Sequence, residues 1–524
     1  MNQTKNQAIL AQTILEHFKK LNTVPRGSNN EKAVSGVVME FAQSCGLTCR
    51  RDDGNNVVVV KQAQGTSDTR PVILQAHMDM VCAVDEAHMD YDFLKNPIYQ
   101  KTEINASGEE IMTGRGTAPD SSGKPVPDDS IHTTLGADDG IGVASIMSLL
   151  EDHTIIHPPI IAVFTTGEEI GMVGAKKITR EWLQDAAGSL DLAQARFINV
   201  DEEQDGRFCY GCAGGIGVDF QISFGRETRF EPSGYQAFRI SVSGLLGGHS
   251  GIEIGERHAN ANRLIGRILY SLRKEPQLGL KLFRISGGSA ENAIASSGNA
   301  DIAVYSNQVT ALEEAFNKVR QALLDEYALV EKNIKLCLNP TEIGAESPIT
   351  EEYCKNIVDL LYLIPNDVLG FLDCDGYSVV ETSSNLGIVS TESSVVRLQC
   401  SVRSFYNARR DFVVSQMERM AELFDFNIKI HDDYSGWAQS PDSKLKVIFT
   451  ESYQELFPGE PVGGRSVHAG LECGVFSEIL GDIDMIACGP TIKDVHTPKE
   501  TLYLDTVPKI GSLLIDVLKR LTEE

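Results

Sequence analysis

The sequence predicts an α/β protein in which a mostly parallel sheet with flanking helices is interrupted by an α+β insertion. Three observations predict this. Helical-period segments alternate with short, nearly continuous apolar runs over the first two hundred residues, the texture changes to half-buried alternation after about Gly214, and the first style returns from about Ser440. The expected divisions are 1–213 and 439–524 for the two parts of the main domain and 214–438 for the insertion.

Each element has its own justification. Ile9, Leu10, Ile14, Leu15 and Phe18 place a helix over Ala8 to Leu21, and Val34, Val37, Val38, Phe41 and Ala42 place another over Glu31 to Cys45. Asn56 to Val60, Pro71 to Ala76, Pro159 to Thr165 and Ala195 to Val200 read as strands buried on both faces of the sheet. Ile141 to Leu150 and Glu181 to Ala187 read as crossover helices between them. In the insertion, Phe238 to Val242 and Val396 to Val402 alternate as strands do, and Ala259 to Arg273 and Thr310 to Tyr327 are helical. The last part carries a strand at Met485 to Cys488 and a helix at Val507 to Leu521. Thr113 to Ser130, rich in Gly, Pro, Ser and Asp, is expected to be a surface loop.

Composition narrows the function classes. The 524 residues carry a formal charge of −26, which repels phosphate backbones and anionic lipid, so nucleic acid and membrane are poor partners. Eleven scattered cysteines do not resemble a secreted disulfide framework, and the C-x-x-C pair Cys209 and Cys212 lacks a second pair at zinc-ribbon spacing. The polar start from Met1 to Gln7 is unlike a signal peptide, and no apolar run approaches the roughly 20 residues of a membrane helix. A cytoplasmic protein is expected.

The residues just beyond the strands carry the chemistry. Pro71 to Ala76 ends in His77-Met-Asp79, Pro159 to Thr165 in Gly167-Glu168-Glu169, and Ala195 to Val200 in Asp201. The helix at Ile141 is preceded by Asp138-Asp139-Gly140, and Met485 to Cys488 leads on to His496. Singly, each motif is an ordinary turn, cap or solvated pair. Together they recur at strand ends, where an open α/β sheet gathers its ligands. Two imidazoles and three carboxylates, His77, Asp138, Glu169, Asp201 and His496, exceed what one tetrahedral zinc takes and suit two ions about 3.5 to 4 Å apart, with Asp138 as the bridge. Asp79 can then fix the tautomer of His77, and Glu168, beside a ligand but free of metal, can move a proton.

The strings His77-Met-Asp79-Met-Val, Leu135-Gly-Ala-Asp138-Asp-Gly, Thr166-Gly-Glu168-Glu169-Ile-Gly, Asn199-Val-Asp201-Glu-Glu, Gly247-Gly-His249-Ser-Gly and His468-Ala-Gly-Leu-Glu472-Cys-Gly resemble the M20 family of co-catalytic zinc peptidases, and within it the aminoacyl-histidine, or cytosolic non-specific, dipeptidases. The resemblance runs in order along nearly the whole chain. It implies the same five ligands and the same bridge, a cis peptide after Asp138, catalytic roles for Asp79 and Glu168, and an inserted lid domain. It further implies that His249 stabilises the oxyanion and that Arg403 binds the substrate carboxylate, with Asn292 and Glu472 as backbone and amine contacts. Without the resemblance, the His249 string reads as a turn and cap, and Arg403 equally as a surface ion pair. Two departures stand out: the long segment before Asp138, and Ala-Ser-Ser where the family usually has Ile-Pro-Arg.

The expected function is a dipeptidase using two Zn2+, with Co2+ or Mn2+ as possible substitutes. It would cleave dipeptides with a free C-terminal carboxylate, of Xaa-His type with broad tolerance, by a di-zinc-activated water with Glu168 as general base. The alternatives are an N-acyl amino acid amidohydrolase on the same scaffold and an inactive binding protein. A homodimer through the lid is expected if His249 serves a neighbour's site, whereas a monomer would supply it in cis.

Overall fold

The computed structural model describes residues 2–344, 346–374 and 377–523. The chain divides into two compact units: Met1–Gly211 with Ala438–Ser466 and Leu471–Glu524, and Cys212–Trp437 with Val467–Gly470. Nothing in the sequence pattern anticipates that last four-residue excursion.

The sheet of the first unit runs in the order Thr48–Arg51, Val57–Lys61, Ile160–Thr165, Val72–His77, Arg196–Asn199, Met485–Ala487, Arg207–Cys212 and Gly463–Val467. Val72–His77 lies parallel to both neighbours, and Met485–Ala487 is parallel to Arg196–Asn199. The helices Asn2–Leu21, Lys32–Ser44, Ala137–Glu151 and Val507–Arg520 contribute their apolar faces to the core of this unit. The strand expected at Asn56 to Val60 forms at Val57–Lys61 but runs antiparallel to Ile160–Thr165. A continuous apolar run reports that both faces are covered, not which way the strand points.

Thr113 to Ser130 is not a loop. Glu110–Pro119 and Pro125–Thr133 pair as an antiparallel hairpin around a turn in which Asp120 accepts from the Ser122 and Lys124 N–H groups. Its small residues serve close packing: a Cβ on Gly114 would collide with the Thr133 and Thr134 carbonyls. Glu110–Pro119 also pairs with Thr501–Tyr503, the second strand of a hairpin whose first strand is Ile492–Lys493. The connection between those two short strands carries His496.

The second unit is built on a nine-stranded sheet among the described residues, ordered Lys335–Thr341, Tyr235–Ser243, Gly298–Tyr305, Lys281–Gly287, Tyr377–Glu392, Val395–Ser404, Gly214–Ser223 and Asn427–Tyr434, with Asp367–Cys374 also paired to Tyr377–Glu392. Every pairing is antiparallel. Alternation sends Ile216, Val218, Phe220 and Ile222 into a core shared with the helices Ala261–Arg273, Glu351–Leu363 and Asn407–Phe424, and leaves Gly217 and Asp219 on the opposite face.

One buried clamp joins the loops of the first unit. The Glu500 carboxylate accepts four backbone N–H groups, those of Leu135 at 2.8 Å, Gly136 at 3.0 Å, Ala137 at 2.7 Å and Asp138 at 3.2 Å. These donors lie at and just before the kinked start of the helix Ala137–Glu151, where no intrahelical carbonyl precedes them. Arg26 acts from the other side, donating to the Met78 carbonyl at 3.0 Å, the Asp79 carbonyl at 3.2 Å and the Gly136 carbonyl. Removing the Glu500 carboxylate orphans four buried donors at once. Glu500→Ala is therefore expected to lower unfolding free energy by about 3 kcal/mol, read from the urea midpoint, with Glu500→Gln losing less. A loss below about 1 kcal/mol for the alanine variant would refute the clamp.

Candidate metal centre and active site

Parallel register brings the first unit's candidates to one edge. His77 pairs with Thr165, so Glu168 and Glu169 emerge just beyond its level, and Gln75 pairs with Asn199, which places Asp201 level with His77. The peptide between Asp138 and Asp139 is cis.

Asp138 is the centre of the cluster. Its Oδ1 lies 3.0 Å from His77 Nε2, which is itself 3.7 Å from Asp201 Oδ1. Its Oδ2 lies 3.2 Å from His496 Nε2, which is 2.9 Å from Glu169 Oε2. One carboxylate thus faces two separate nitrogen-and-oxygen sets, and both sets meet the spacing that a metal ion requires. Glu169 Oε1 is buried without a hydrogen-bond partner. A buried oxygen left open beside imidazole and carboxylate donors suits a pair of divalent cations.

Electrostatics points the same way. Burial alone would lower the His77 imidazole, but Asp201, Asp138 and Asp79 outweigh it and hold it well above its usual value. Burial raises the Asp201 carboxyl, with Asp139 and Asp138 adding to the effect. His496, held by Asp138 and Glu169, is pushed up to about 11. Protons are standing in for positive charge that the carboxylates demand.

Asp79 sits beneath this set. Its Oδ1 is 3.5 Å from His77 Nδ1 and accepts the Glu168 N–H at 3.1 Å, while its Oδ2 accepts from Ser28 Oγ at 2.8 Å and from the Glu169 N–H at 3.4 Å. One carboxylate therefore orients both an imidazole and the Glu168-Glu169 turn. Burial pushes the Glu168 carboxyl up to about 8; His77 opposes the rise, and Glu472, Glu169 and Asp138 add to it.

Glu472 is fully buried and accepts from Thr165 Oγ1 at 2.6 Å and from Gln75 Nε2. It braces the strands under the cluster, a place unlike the amine contact expected of it. Sequence reading missed Glu500 and Arg26, and also Asp139, whose Oδ2 accepts the His77 N–H at 3.1 Å. Glu500 lies one helical turn's spacing beyond His496, but it sits in a non-helical connection where that spacing carries no signal.

In the second unit, Gly248 to Ser250 pairs with Asn292 to Ile294, so His249 and Asn292 are neighbours. His249 Nδ1 accepts the N–H groups of Gly251 and Ile252, both at 3.2 Å. Burial, then the charge of Arg403, lowers its pKa. The neutral ring must then carry its proton on Nε2, as a donor. Arg403 is mostly buried, donates from Nη1 to Tyr434 Oη at 2.8 Å, and leaves its Nε without a partner. The Asn292 side chain is exposed. His468, to which sequence reading gave no role, is buried with Nε2 2.7 Å from Ser383 Oγ; burial and Arg403 push its pKa down to about 3.

The chain is similar to known proteins in sequence and fold. Residues 240–331 match the peptidase dimerisation domain of the M20 family. The chain is 33% identical over 511 residues to the cytosol non-specific dipeptidase of Escherichia coli K12, covering 97% of this chain and 98% of that one. Among solved structures, the aminoacylhistidine dipeptidase of Vibrio alginolyticus matches with a TM-score of 0.84 at 32% identity, over 97% of this chain and 96% of that one. A tripeptidase from Staphylococcus aureus shares the fold at a TM-score of 0.52 and 15% identity, over 98% and 99% of the two chains. An identity of this level maintained across essentially both full lengths shows common descent, and the chain belongs to the M20 peptidase family.

Proposed function

We propose that the chain is a metallo-dipeptidase, cleaving dipeptides with a free C-terminal carboxylate and accepting Xaa-His among a broad range. The observation that carries this reading is Asp138, whose two oxygens face His77 with Asp201 and His496 with Glu169. Its support from relatives is that two similar proteins bear the names of a cytosol non-specific and an aminoacylhistidine dipeptidase. The five ligands would hold two divalent cations, zinc in preference, with cobalt or manganese as substitutes. The chemistry such a pair supplies when bound is Lewis acidity toward the scissile carbonyl and toward water.

The chain's own residues supply the rest. Asp79 holds the His77 ring and the Glu168-Glu169 turn in place. Glu168 takes the proton of the attacking water and returns it to the leaving amine, a task suited to a carboxyl whose pKa lies near neutrality. His249, neutral and protonated on Nε2, donates to the oxygen on which negative charge develops. Arg403, with one donor unsatisfied, takes the terminal carboxylate. The match to a dimerisation domain supports a homodimer through the lid, and the cytosolic relative supports a cytoplasmic location. No helix among the described residues is long and apolar enough to cross a membrane.

Three outcomes test this. Glu168→Ala is expected to keep its full metal content while turnover falls by at least about a thousandfold; retention of a tenth of the activity removes Glu168 from the role. A panel of β-alanyl-histidine, ordinary dipeptides and N-acetyl amino acids is expected to show hydrolysis of the dipeptides alone, and preference for the N-acyl compounds would instead make the protein an amidohydrolase. Mixing inactive Glu168→Ala chains with inactive His249→Ala chains restores activity if His249 acts on a neighbour's substrate; no recovery means that it acts within its own chain.

A further inference from the structure

The second unit carries another imidazole-and-carboxylate set, made of residues given no role above although Glu291 adjoins Asn292. Gly214–Ser223 and Asn427–Tyr434 run antiparallel, with Gly217 opposite His431. A Cβ on Gly217 would collide with the His431 ring and with Glu291 Oε1, so the glycine is what lets the imidazole lie across the strand. There His431 Nε2 is 3.4 Å from Asp219 Oδ1 and 3.7 Å from Glu291 Oε2.

Two features distinguish this from a surface ion pair. His431 Nδ1 is 2.9 Å from Asp432 Oδ2, so a carboxylate takes the outer nitrogen and directs the inner one at the other two acids. That is how metal-binding imidazoles are commonly oriented. Nε2 is itself shielded from solvent and has no hydrogen-bond partner. Its separations from the two oxygens exceed the roughly 2.7 to 3.2 Å of an N–H···O bond. They are close to the distance of about 3.3 Å between two ligands of a tetrahedral ion with bonds of about 2.0 to 2.1 Å. Gln399 Nε2 donates to Asp219 Oδ1 at 3.0 Å and fixes that carboxylate, whose oxygen keeps a second lone pair.

We propose that Asp219, Glu291 and His431 form a further divalent-cation site in the lid, independent of the His77–His496 centre. One imidazole and two carboxylates suit zinc or cobalt and leave a position for water. The ion ties two strands to the segment that starts at Glu291, and that segment pairs through Asn292 to Ile294 with the His249 loop. Its role is therefore one of positioning.

The test is equilibrium dialysis of the full-length protein, stripped by chelator, against zinc at about 100 μM free ion, with metal per chain counted by elemental analysis. The expected result is one more ion in the wild type than in His431→Ala or in Glu291→Gln, which preserves side-chain volume. That ion is also expected to persist in a His77→Ala/His496→Ala chain. Cobalt loading of that double variant should give visible absorption bands that a further Glu291→Gln change abolishes. Equal metal counts in the wild type and both lid variants overturn the proposal, and so does a double variant that binds no ion, since the set is then an imidazolium held by three acids. Failure of the dipeptidase reading would leave these counts unchanged.

Discussion

The acidic cluster depends on a buried carboxylate whose oxygens accept only backbone N–H groups among the described hydrogen bonds. Glu500 gathers four consecutive N–H groups, from Leu135 through Asp138, and Arg26 gathers carbonyls from that same turn and from the turn after His77. Two loops about 60 residues apart in sequence are thereby fixed as one body. Both groups are buried, so each needs its partners: burial pushes Glu500 up to about 7 even against its N–H donors, and lowers Arg26. A charge held in this way is costly to disturb from either side. The position of Asp138, on which the two donor sets converge, is inherited from that arrangement.

Around this frame the site sets like charges against one another. Asp79, Asp138, Glu168, Glu169 and Asp201 crowd together with the imidazoles of His77 and His496 among them. Asp138, between both imidazoles, is held well below the usual carboxylate range, while Asp201 and Glu168 are driven above it. The same chemical group is thus driven in opposite directions by position alone. In the second unit His249 and His468 go the other way, kept neutral by burial and by Arg403.

Much of this was legible in the sequence. Apolar runs located the four central strands to within a residue or two, because a strand covered on both faces leaves no other pattern. That His77, Glu168, Glu169 and Asp201 share a place was legible because the parallel strands Val72–His77, Ile160–Thr165 and Arg196–Asn199 end at one edge; Asp138 and His496 arrive there from a helix start and a hairpin connection. Direction and partnership were not legible. Val57–Lys61 has the composition of its parallel neighbours yet runs against them, and Glu500 looks like any exposed acid near the end of the chain. Its worth lies entirely in backbone donors that every residue possesses. Glu472 illustrates the converse, since its motif was readable but its burial beneath the sheet was not.

The hairpin of Glu110–Pro119 and Pro125–Thr133 was the segment composition misjudged most, and its unusual residues have a second consequence. Pro125–Thr133 is an outer strand whose end at His132 and Thr133 is bridged to Val84 and Asp85, while Pro125 to Asp129 pairs with Glu110–Pro119 alone. Pro125 and Pro127 bring no N–H to its free side, and Asp128 and Asp129 add charge there. Such a border cannot easily accept a strand from another molecule. The composition that made the segment look unstructured is what keeps this small sheet from growing into a template for aggregation.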